Sequence, residues 1–395
     1  MSAIVKDQRA VAQLSRAERI RALRALPQPE PVPNMQAYLD ERERALAFSP
    51  RRRENYERFV AAGRRSATVD YLPVKLDIEN VSRCNFRCTM CVVSDWTKGQ
   101  RAEDMSPAEF KGLLDEQYGL VEIKLQGIGE PLMQRGDFFE MIRYARSQSI
   151  WVRTTTNASL LHLNNNYKSL IDSGVNEVQI SIDGASKRVF EGIRRGSVFD
   201  RVVKNCKLVN GYCDELGIMR CKMWTVVQKA NRHELFDLVT LAKEMGFRTM
   251  VFALNLSDWA QVDWAERNQG VSVEDEFDPE VGQKLIQYGE ELGVTVRFWV
   301  NQEKFSTESP ERLCPWPFER AYVASDMRVV PCCHIGNPDV HQIGERLGGG
   351  EGFSDIWTSQ TYNEFRQSHL DGKIPDVCRS CYFGNSRAAD TSSAE

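Results

Sequence analysis

The residues with the clearest capacity for chemistry are three cysteines, Cys84, Cys88 and Cys91, spaced C-x3-C-x2-C. Thiolates this close in sequence can surround a soft metal centre. Three ligands would leave a four-iron cluster with one iron open to an outside ligand. A structural zinc knuckle is the alternative, but it would need a fourth ligand, and no other Cys or His occurs between Val81 and Asp104.

A second group of cysteines lies near the C-terminal end of the chain. It comprises Cys314, the adjacent Cys332 and Cys333, and the pair Cys378 and Cys381. The grouping predicts a second metal site. An iron–sulfur cluster and a structural zinc ion both remain open for it on the residues alone.

The composition argues against several classes of function. Of 395 residues, 42% are hydrophobic and 27% charged, and no apolar run is long enough to span a bilayer. The net charge of −4 predicts no nucleic-acid partner. Because the N-terminus lacks the pattern of a secretory signal, we expect a reducing, cytoplasmic location, in which close-spaced thiols bind metals more often than they form disulfides.

Six short β-like runs alternate with helical stretches and must position these cysteines. The runs are residues 74–80, 121–127, 150–156, 176–183, 221–227 and 247–253. Such alternation predicts an α/β fold of parallel strands, as an open sheet or a barrel, with ligands at the C-terminal strand ends.

The rest of the chain is organised differently. Residues 1–70 have helical spacing with a Pro-rich break from Pro27 to Pro33, and predict a helical N-terminal extension. The barrel is predicted over residues 71–305 and a small Cys-rich domain over residues 306–385. Residues 386–395 predict a disordered polar tail.

The first cysteine loop resembles the signature of the radical SAM superfamily, whose cysteines follow the first strand of a partial (β/α)6 TIM-like barrel. The resemblance covers roughly residues 74–300. It implies that Cys84, Cys88 and Cys91 hold a [4Fe–4S] cluster whose open iron binds S-adenosylmethionine (SAM). Electron transfer from the cluster would cleave SAM to a 5′-deoxyadenosyl radical, with a flavodoxin or ferredoxin-type protein as the expected electron donor.

Further segments are similar to the SAM-binding loops of that family. Residues 127–131 look like its GGEP loop, residues 154–157 like its TTNG segment with Ala158 in the glycine position, and residues 181–184 like its SxDG segment. An Arg-Arg-Gly step follows at residues 194–196, in which either arginine could bind a carboxylate. The cofactor-binding residues that the resemblance implies are Gly127, Gly129, Glu130, Pro131, Asn157, Ser181, Asp183 and Arg195.

The second cysteine group resembles the SPASM/Twitch domain, a small Cys-rich C-terminal domain that binds auxiliary clusters. Met327 occupies the position of a glycine in that domain, and the register from it selects Cys332 rather than Cys333. The resemblance implies one auxiliary [4Fe–4S] cluster, since no cysteine follows the last pair. Its implied ligands are Cys314, Cys332, Cys378 and Cys381.

The sequence predicts the reaction less directly. We interpret Cys213, Cys221 and Lys222 as candidate catalytic residues, with simple packing as the alternative for Cys206, Cys213 and Cys221. An auxiliary cluster near the substrate favours oxidation of a small molecule such as a sugar or a natural-product intermediate. Radical epimerisation or dehydration, and modification of a peptide, are the alternatives.

Overall fold

The computed structural model describes residues 14–301, 304–344, 347 and 352–383. Within them the strands are β1 (Lys75–Ile78), β2 (Arg87–Cys88), β3 (Glu122–Leu125), β4 (Trp151–Thr156), β5 (Glu177–Ser181), β6 (Arg194–Arg195), β7 (Cys221–Val226), β8 (Thr249–Ala253), β9 (Thr295–Trp299), β10 (Arg320–Val323) and β11 (Val329–Val330). The α-helices are α1 (Arg16–Arg24), α2 (Met35–Ala47), α3 (Pro50–Ala62), α4 (Pro107–Glu116), α5 (Gly136–Ser147), α6 (Asn166–Asp172), α7 (Lys187–Ile193), α8 (Phe199–Glu215), α9 (Leu235–Glu244), α10 (Val262–Gln269), α11 (Pro279–Leu292), α12 (Trp316–Glu319), α13 (Phe353–Thr358) and α14 (Gln360–Leu370).

A mostly parallel sheet organises the chain. Its strand order is β11-β10-β1-β3-β4-β5-β7-β8-β9, and only the β10–β11 pair in it is antiparallel. Each of the six runs predicted from the sequence forms one of these strands. Lys222 on β7 lies within electrostatic reach of Arg153 on β4 and Lys124 on β3, because the sheet curves. The α/β prediction and the partial barrel are confirmed.

Side-chain alternation gives the sheet two different faces. On β1 and β3 the apolar residues Leu76, Ile78, Ile123 and Leu125 point outward and pack in the main core with the helices. The residues between them point to the interior of the barrel, and several of these are charged. Helix α8 covers the outer face with a stripe that includes Val202, Cys206, Val209 and Cys213, at helical spacing.

The sheet continues past the predicted end of the barrel at residue 305. Strand β10 pairs in parallel with β1, from Lys75 opposite Arg320 to Ile78 opposite Val323. The C-terminal region therefore shares main-chain hydrogen bonds with the first strand of the barrel. The domain boundaries remain predictions.

The Pro-rich segment at residues 27–33 lies across the N-terminal ends of the strands. The backbone N–H of Phe298 donates to Pro27 O at 2.9 Å, and the N–H of Val32 donates to Glu177 Oε2 at 3.0 Å. No local pattern in the sequence predicts this closure. The predicted tail at 386–395 and the first 13 residues of the predicted extension lie outside the described residues. Nowhere in the described chain is there a helix with the length and apolarity needed to cross a membrane.

Candidate active site

Cys84, Cys88 and Cys91 lie in the loop that leaves the C-terminal end of β1. Burial raises the pKa of the Cys84 thiol, and the nearby Cys88 and Cys91 thiols raise it further. Burial also raises the pKa of Cys91, to about 12. The three thiols are thus close together and protonated without metal, and iron binding would have to displace their protons.

Amide groups donate to one of these sulfurs. The backbone N–H of Phe86 lies 3.4 Å from Cys84 Sγ, and Asn157 Nδ2 lies 3.8 Å from the same atom. Asn157 also donates to Asn85 Oδ1 at 3.1 Å, and its Oδ1 accepts from Ser159. The end of β4 therefore holds the cysteine loop in place, next to the sulfur that the sequence assigned to a cluster.

The turn at Ala158 keeps the conformation of the glycine it replaces. Its φ is +61°, in the left-handed region, and its side chain is fully buried. Asn205 Nδ2 donates to Ala158 O at 2.7 Å and helps to hold this turn. The strain of a non-glycine residue in this region is of the order of 1 kcal/mol.

The arginine step pairs directly with the cysteine loop. Strand β6 is antiparallel to β2, with Arg194 opposite Cys88 and Arg195 opposite Arg87. Arg194 is buried, and its Nη2 lies 2.7 Å from Asp183 Oδ2. Arg195 is exposed. This placement favours Arg194 over Arg195, which was the predicted residue, as the cation beside the thiols.

Close contact fixes the loop after β3 against the cysteine loop. A side chain at Gly129 would overlap the backbone oxygens of Val81 and Arg83, and one at Gly127 would overlap Glu79. The N–H of Glu130 donates to Arg83 O at 2.8 Å. Pro131 follows at the start of a short 3₁₀ turn.

The Glu130 carboxylate faces the protein interior. It accepts from Thr156 Oγ1 at 2.6 Å, from the N–H of Asn157 at 2.7 Å and from the N–H of Leu132 at 3.2 Å. Burial raises its pKa to about 7. Glu130 therefore joins the ends of β3 and β4 rather than presenting its side chain to a ligand.

Ser181 and Asp183 lie at the C-terminal end of β5 and make different contacts. Ser181 is half-buried and stands opposite Trp224 in the parallel register. Asp183 is fully buried, and its Oδ1 accepts from the N–H of Val226 at 2.8 Å. Asp183 is thus committed to Arg194 and to β7, while Ser181 is available at the strand end.

The predicted catalytic residues lie away from the cysteine loop, and a catalytic role for them stays a prediction. Cys213 on α8 and Cys221 on β7 are buried in the core, on the helix side of the sheet. Lys222 faces the barrel, but at its N-terminal end. There its Nζ lies 2.9 Å from Glu177 Oε1 and donates to Glu30 O at 3.0 Å. The helical spacing of Cys206 and Cys213 with the apolar residues of α8 is the sequence pattern that favours packing for these two cysteines.

The second cysteine group comes together at the open side of the partial barrel, beyond β9. Burial raises the pKa of Cys314, and the Cys381 and Cys378 thiols raise it further. The pKa of Cys332 is raised by burial and by Cys333, Cys378 and Cys314. Asn301 Nδ2 lies 3.6 Å from Cys381 Sγ.

The adjacent Cys333 points elsewhere. Its side chain is exposed to solvent, yet the charges that act on it belong to Asp77, Lys124, Arg320 and Arg153. These residues come from four strands and face the barrel interior. Different charges thus act on the two neighbours, and the choice of Cys332 as the ligand stays a prediction. Met327 has the left-handed φ of +65° that a glycine adopts easily.

Buried ion pairs of Arg101 connect the C-terminal region, at Asp326, to Glu79 beside the first cysteine loop. Arg101 Nη2 lies 2.7 Å from Glu79 Oε2, and its Nη1 lies 2.5 Å from Asp326 Oδ2. Glu79 also accepts from the N–H of Ile128 and the N–H of Ser325, both at 3.1 Å. One carboxylate therefore connects β1, the loop after β3 and the C-terminal region.

The residues fit two iron–sulfur clusters. Each group supplies neighbouring thiols that are buried or half-buried, with an amide donor near a sulfur, which is the environment such clusters use. Within the described residues, no three Cys, His, Asp or Glu side chains converge closely enough to hold a single metal ion. A cluster does not require that convergence, because its irons lie between the sulfurs.

Comparison with known proteins identifies both regions. Residues 79–242 match the sequence model of the radical SAM superfamily, and residues 314–382 match that of SPASM, an iron–sulfur cluster-binding domain. The mycofactocin maturase MftC of Mycolicibacterium smegmatis is 28% identical over 346 residues, which are 84% of this chain and 79% of that protein.

Two other proteins extend the comparison. The GTP 3′,8-cyclase of Saccharophagus degradans is 30% identical over 169 residues, so the match spans 42% of this chain and about half, 49%, of that enzyme. The crystal structure of Streptococcus suis SuiB bound to the precursor peptide SuiA has a TM-score of 0.62 and 17% identity, and the alignment covers 85% of this chain and 79% of that one. The likeness to SuiB concerns the fold.

Proposed function

Because this chain is a radical SAM enzyme with a C-terminal SPASM domain, we propose that it oxidises a substrate held inside the barrel. The observation that carries the proposal is the enclosure of the interior. The cysteine loop lies at the C-terminal strand ends, the Pro-rich segment lies across the opposite ends, and the auxiliary cysteines lie at the open side. Such an interior suits a small molecule or the end of a longer chain.

The ligand assignment belongs to this proposal. Cys84, Cys88 and Cys91 would hold the cluster that supplies an electron for SAM cleavage, and Cys314, Cys332, Cys378 and Cys381 would hold an auxiliary cluster that accepts an electron from the substrate. Gly127 and Gly129 would let the backbone approach SAM, and Ser181 would donate to it. Arg194, held by Asp183, would place a positive charge beside the thiols.

Small-molecule oxidation is the first candidate, as for a sugar or natural-product intermediate. Peptide modification is the second, and it is favoured by the match to a maturase over 79% of that relative. A protein of the flavodoxin or ferredoxin type is the proposed reductant, and the cytoplasm the proposed location.

The test is SAM cleavage by anaerobically reconstituted enzyme, with 5′-deoxyadenosine and methionine measured by mass spectrometry. The wild type should form both, and Cys84→Ala should form neither. Cys206→Ala is the matched control, because Cys206 lies in the core behind the sheet. Wild-type protein that binds iron at the first site yet never cleaves SAM would refute the proposal.

The product distinguishes the reaction types. Oxidation yields a product that has lost two hydrogens. Epimerisation in deuterated water instead yields a product in which one deuterium replaces the abstracted hydrogen. Candidate small molecules and peptides can be compared by how far they increase 5′-deoxyadenosine formation.

A further inference from the structure

The interior of the barrel is lined by charged side chains of both signs. The charged residues that face it include Lys75, Lys124, Arg153, Lys222, Arg297 and Arg320, and the acidic Asp77, Glu79, Glu122, Glu177 and Glu319. Charges this far from bulk water act strongly on one another and on a ligand. The interior is therefore selective by charge.

Most of these cations already have a partner. Arg153 lies 3.0 Å from Glu122, Lys222 lies 2.9 Å from Glu177, and Arg320 lies 2.7 Å from Glu319. Lys75 lies 3.5 Å from Glu122. Glu122, Glu177 and Glu319 are therefore already paired with cations of the interior.

Lys124 has no such partner among the described residues. It is half-buried on the interior face of β3, and no carboxylate in the described part of the chain lies within 4.0 Å of its Nζ. Its charge acts on the thiol of Cys333, which projects into the same space. Cys333 is exposed to solvent, and charges on four strands of the barrel act on its thiol, so the space near Lys124 is open to solvent.

An apolar wall lies on another side of the interior. The rings of Trp224 on β7 and Trp299 on β9 are 6.3 Å apart, and Lys304 Nζ stands 3.9 Å from the centre of the Trp299 ring. A ligand with an apolar or ring-shaped body and one anionic end would satisfy both surfaces.

We propose that the barrel interior beside Lys124 and Cys333 binds the anionic group, a carboxylate or phosphate, of a negatively charged substrate. The inference rests on the proposed function, in which the interior receives the substrate. Lys124 would pair with the anionic group. The opposite end of the substrate would then face the C-terminal strand ends, where SAM is proposed to bind. A neutral or cationic substrate would leave this half-buried ammonium without a carboxylate or phosphate partner.

Cys333 provides a test that needs no substrate. The full-length reconstituted enzyme is treated anaerobically and briefly with an anionic sulfonatoethyl or a cationic trimethylammonioethyl methanethiosulfonate, and labelling of Cys333 is followed by peptide mass spectrometry. Both reagents attack the same thiolate, so the ratio of their rates cancels the thiolate fraction. Dividing this ratio by the ratio measured for a free thiol, 2-mercaptoethanol, also cancels the intrinsic reactivities of the two reagents and leaves the effect of local charge. We expect this normalised ratio to favour the anionic reagent by at least about tenfold.

Substitution of the lysine completes the test. Lys124→Gln should bring the ratio close to one, and Lys124→Arg should retain it. Lys229→Gln, which removes a surface lysine paired with Glu276, should leave the ratio unchanged. Iron content equal to that of the wild type shows that each variant is assembled.

Four results would overturn the inference. They are a normalised ratio of one in the wild type, a ratio that favours the cationic reagent, an unchanged ratio in Lys124→Gln, and a Cys333 that neither reagent labels. Failure of the proposed function would look different, since SAM cleavage would be absent whatever the labelling ratio.

Discussion

Gly129 keeps two loops in contact at the proposed SAM site, because the backbone oxygens of Val81 and Arg83 leave no room for a side chain there. Only glycine allows such an approach without displacing the cysteine loop. Its partner Gly127 meets a side chain, Glu79, which is itself held by an ion pair. Residue identity at this turn is therefore set by sterics more than by chemistry.

Gly129→Ala should lower the free energy of unfolding by about 1 to 3 kcal/mol, because the added methyl group must displace main-chain atoms. It should also reduce iron retention at the first site. Gly211→Ala is the control: Gly211 lies within α8, no atom stands within 4 Å of an added Cβ, and a gain of about 0.5 to 1 kcal/mol is expected. Chemical denaturation measures both, and an equal effect of the two substitutions would contradict the steric argument.

Glu130 should give stability a distinct pH dependence. Burial raises its pKa from 4.5 to about 7, so between these pH values the folded protein holds a proton that the unfolded chain has lost. The contribution of Glu130 to the free energy of unfolding therefore falls as the pH rises through this window.

Glu130→Gln cannot ionise and serves as the reference for that measurement. The stability of the wild type relative to Glu130→Gln should fall by roughly 1 to 3 kcal/mol between pH 5 and pH 8. Urea denaturation at several pH values measures the difference. Curves that stay parallel would mean that Glu130 keeps an ordinary pKa in the folded protein.

At the scale of elements, what the sequence could reveal depended on whether a contact was local. Alternation along β1 to β8 and the cysteine spacings are local patterns, and they predicted the strands and both cysteine groups. The pairing of β2 with β6 joins residues more than 100 positions apart, and nothing near Arg194 indicates it. The closure of the barrel by the Pro-rich segment is equally long-range. In it, Lys222 donates a hydrogen bond to the backbone oxygen of Glu30.

Lys222→Met should destabilise the protein by about 3 to 5 kcal/mol, because it leaves the buried Glu177 carboxylate without its cation. Arg248→Met is the matched control: its pair with Asp214 is 2.7 Å long, against 2.9 Å for Lys222 and Glu177, but both side chains are more than half exposed, so a change below about 1 kcal/mol is expected. A catalytic lysine would behave in the opposite way, with normal stability and no turnover of substrate.

Taken as a whole, the molecule joins its two cysteine sites through one sheet. Strand β10 continues the sheet beyond β1, and the Arg101–Glu79 pair connects the first loop to Asp326 and Ser325. The C-terminal domain thus shares one sheet with the barrel. The Gly, Pro and Cys content that interrupts the alternating pattern predicted this domain, and residues 314–382 match the SPASM model. Its strand pairing with β1 leaves no local signal in the sequence.

The two sites should nevertheless lose iron independently, because each cysteine group is complete in itself. Reconstituted wild-type protein should contain about eight irons and Cys332→Ala about four. Cys333→Ala should keep all of them, since Cys333 faces Lys124 and Arg153 in the barrel interior, while Cys332 faces Cys378 and Cys314. Cys332→Ala should still cleave SAM, but without the auxiliary cluster it should form little oxidised product. Iron analysis together with 5′-deoxyadenosine measurement decides this, and the reverse iron counts for Cys332→Ala and Cys333→Ala would exchange the roles of the two neighbours.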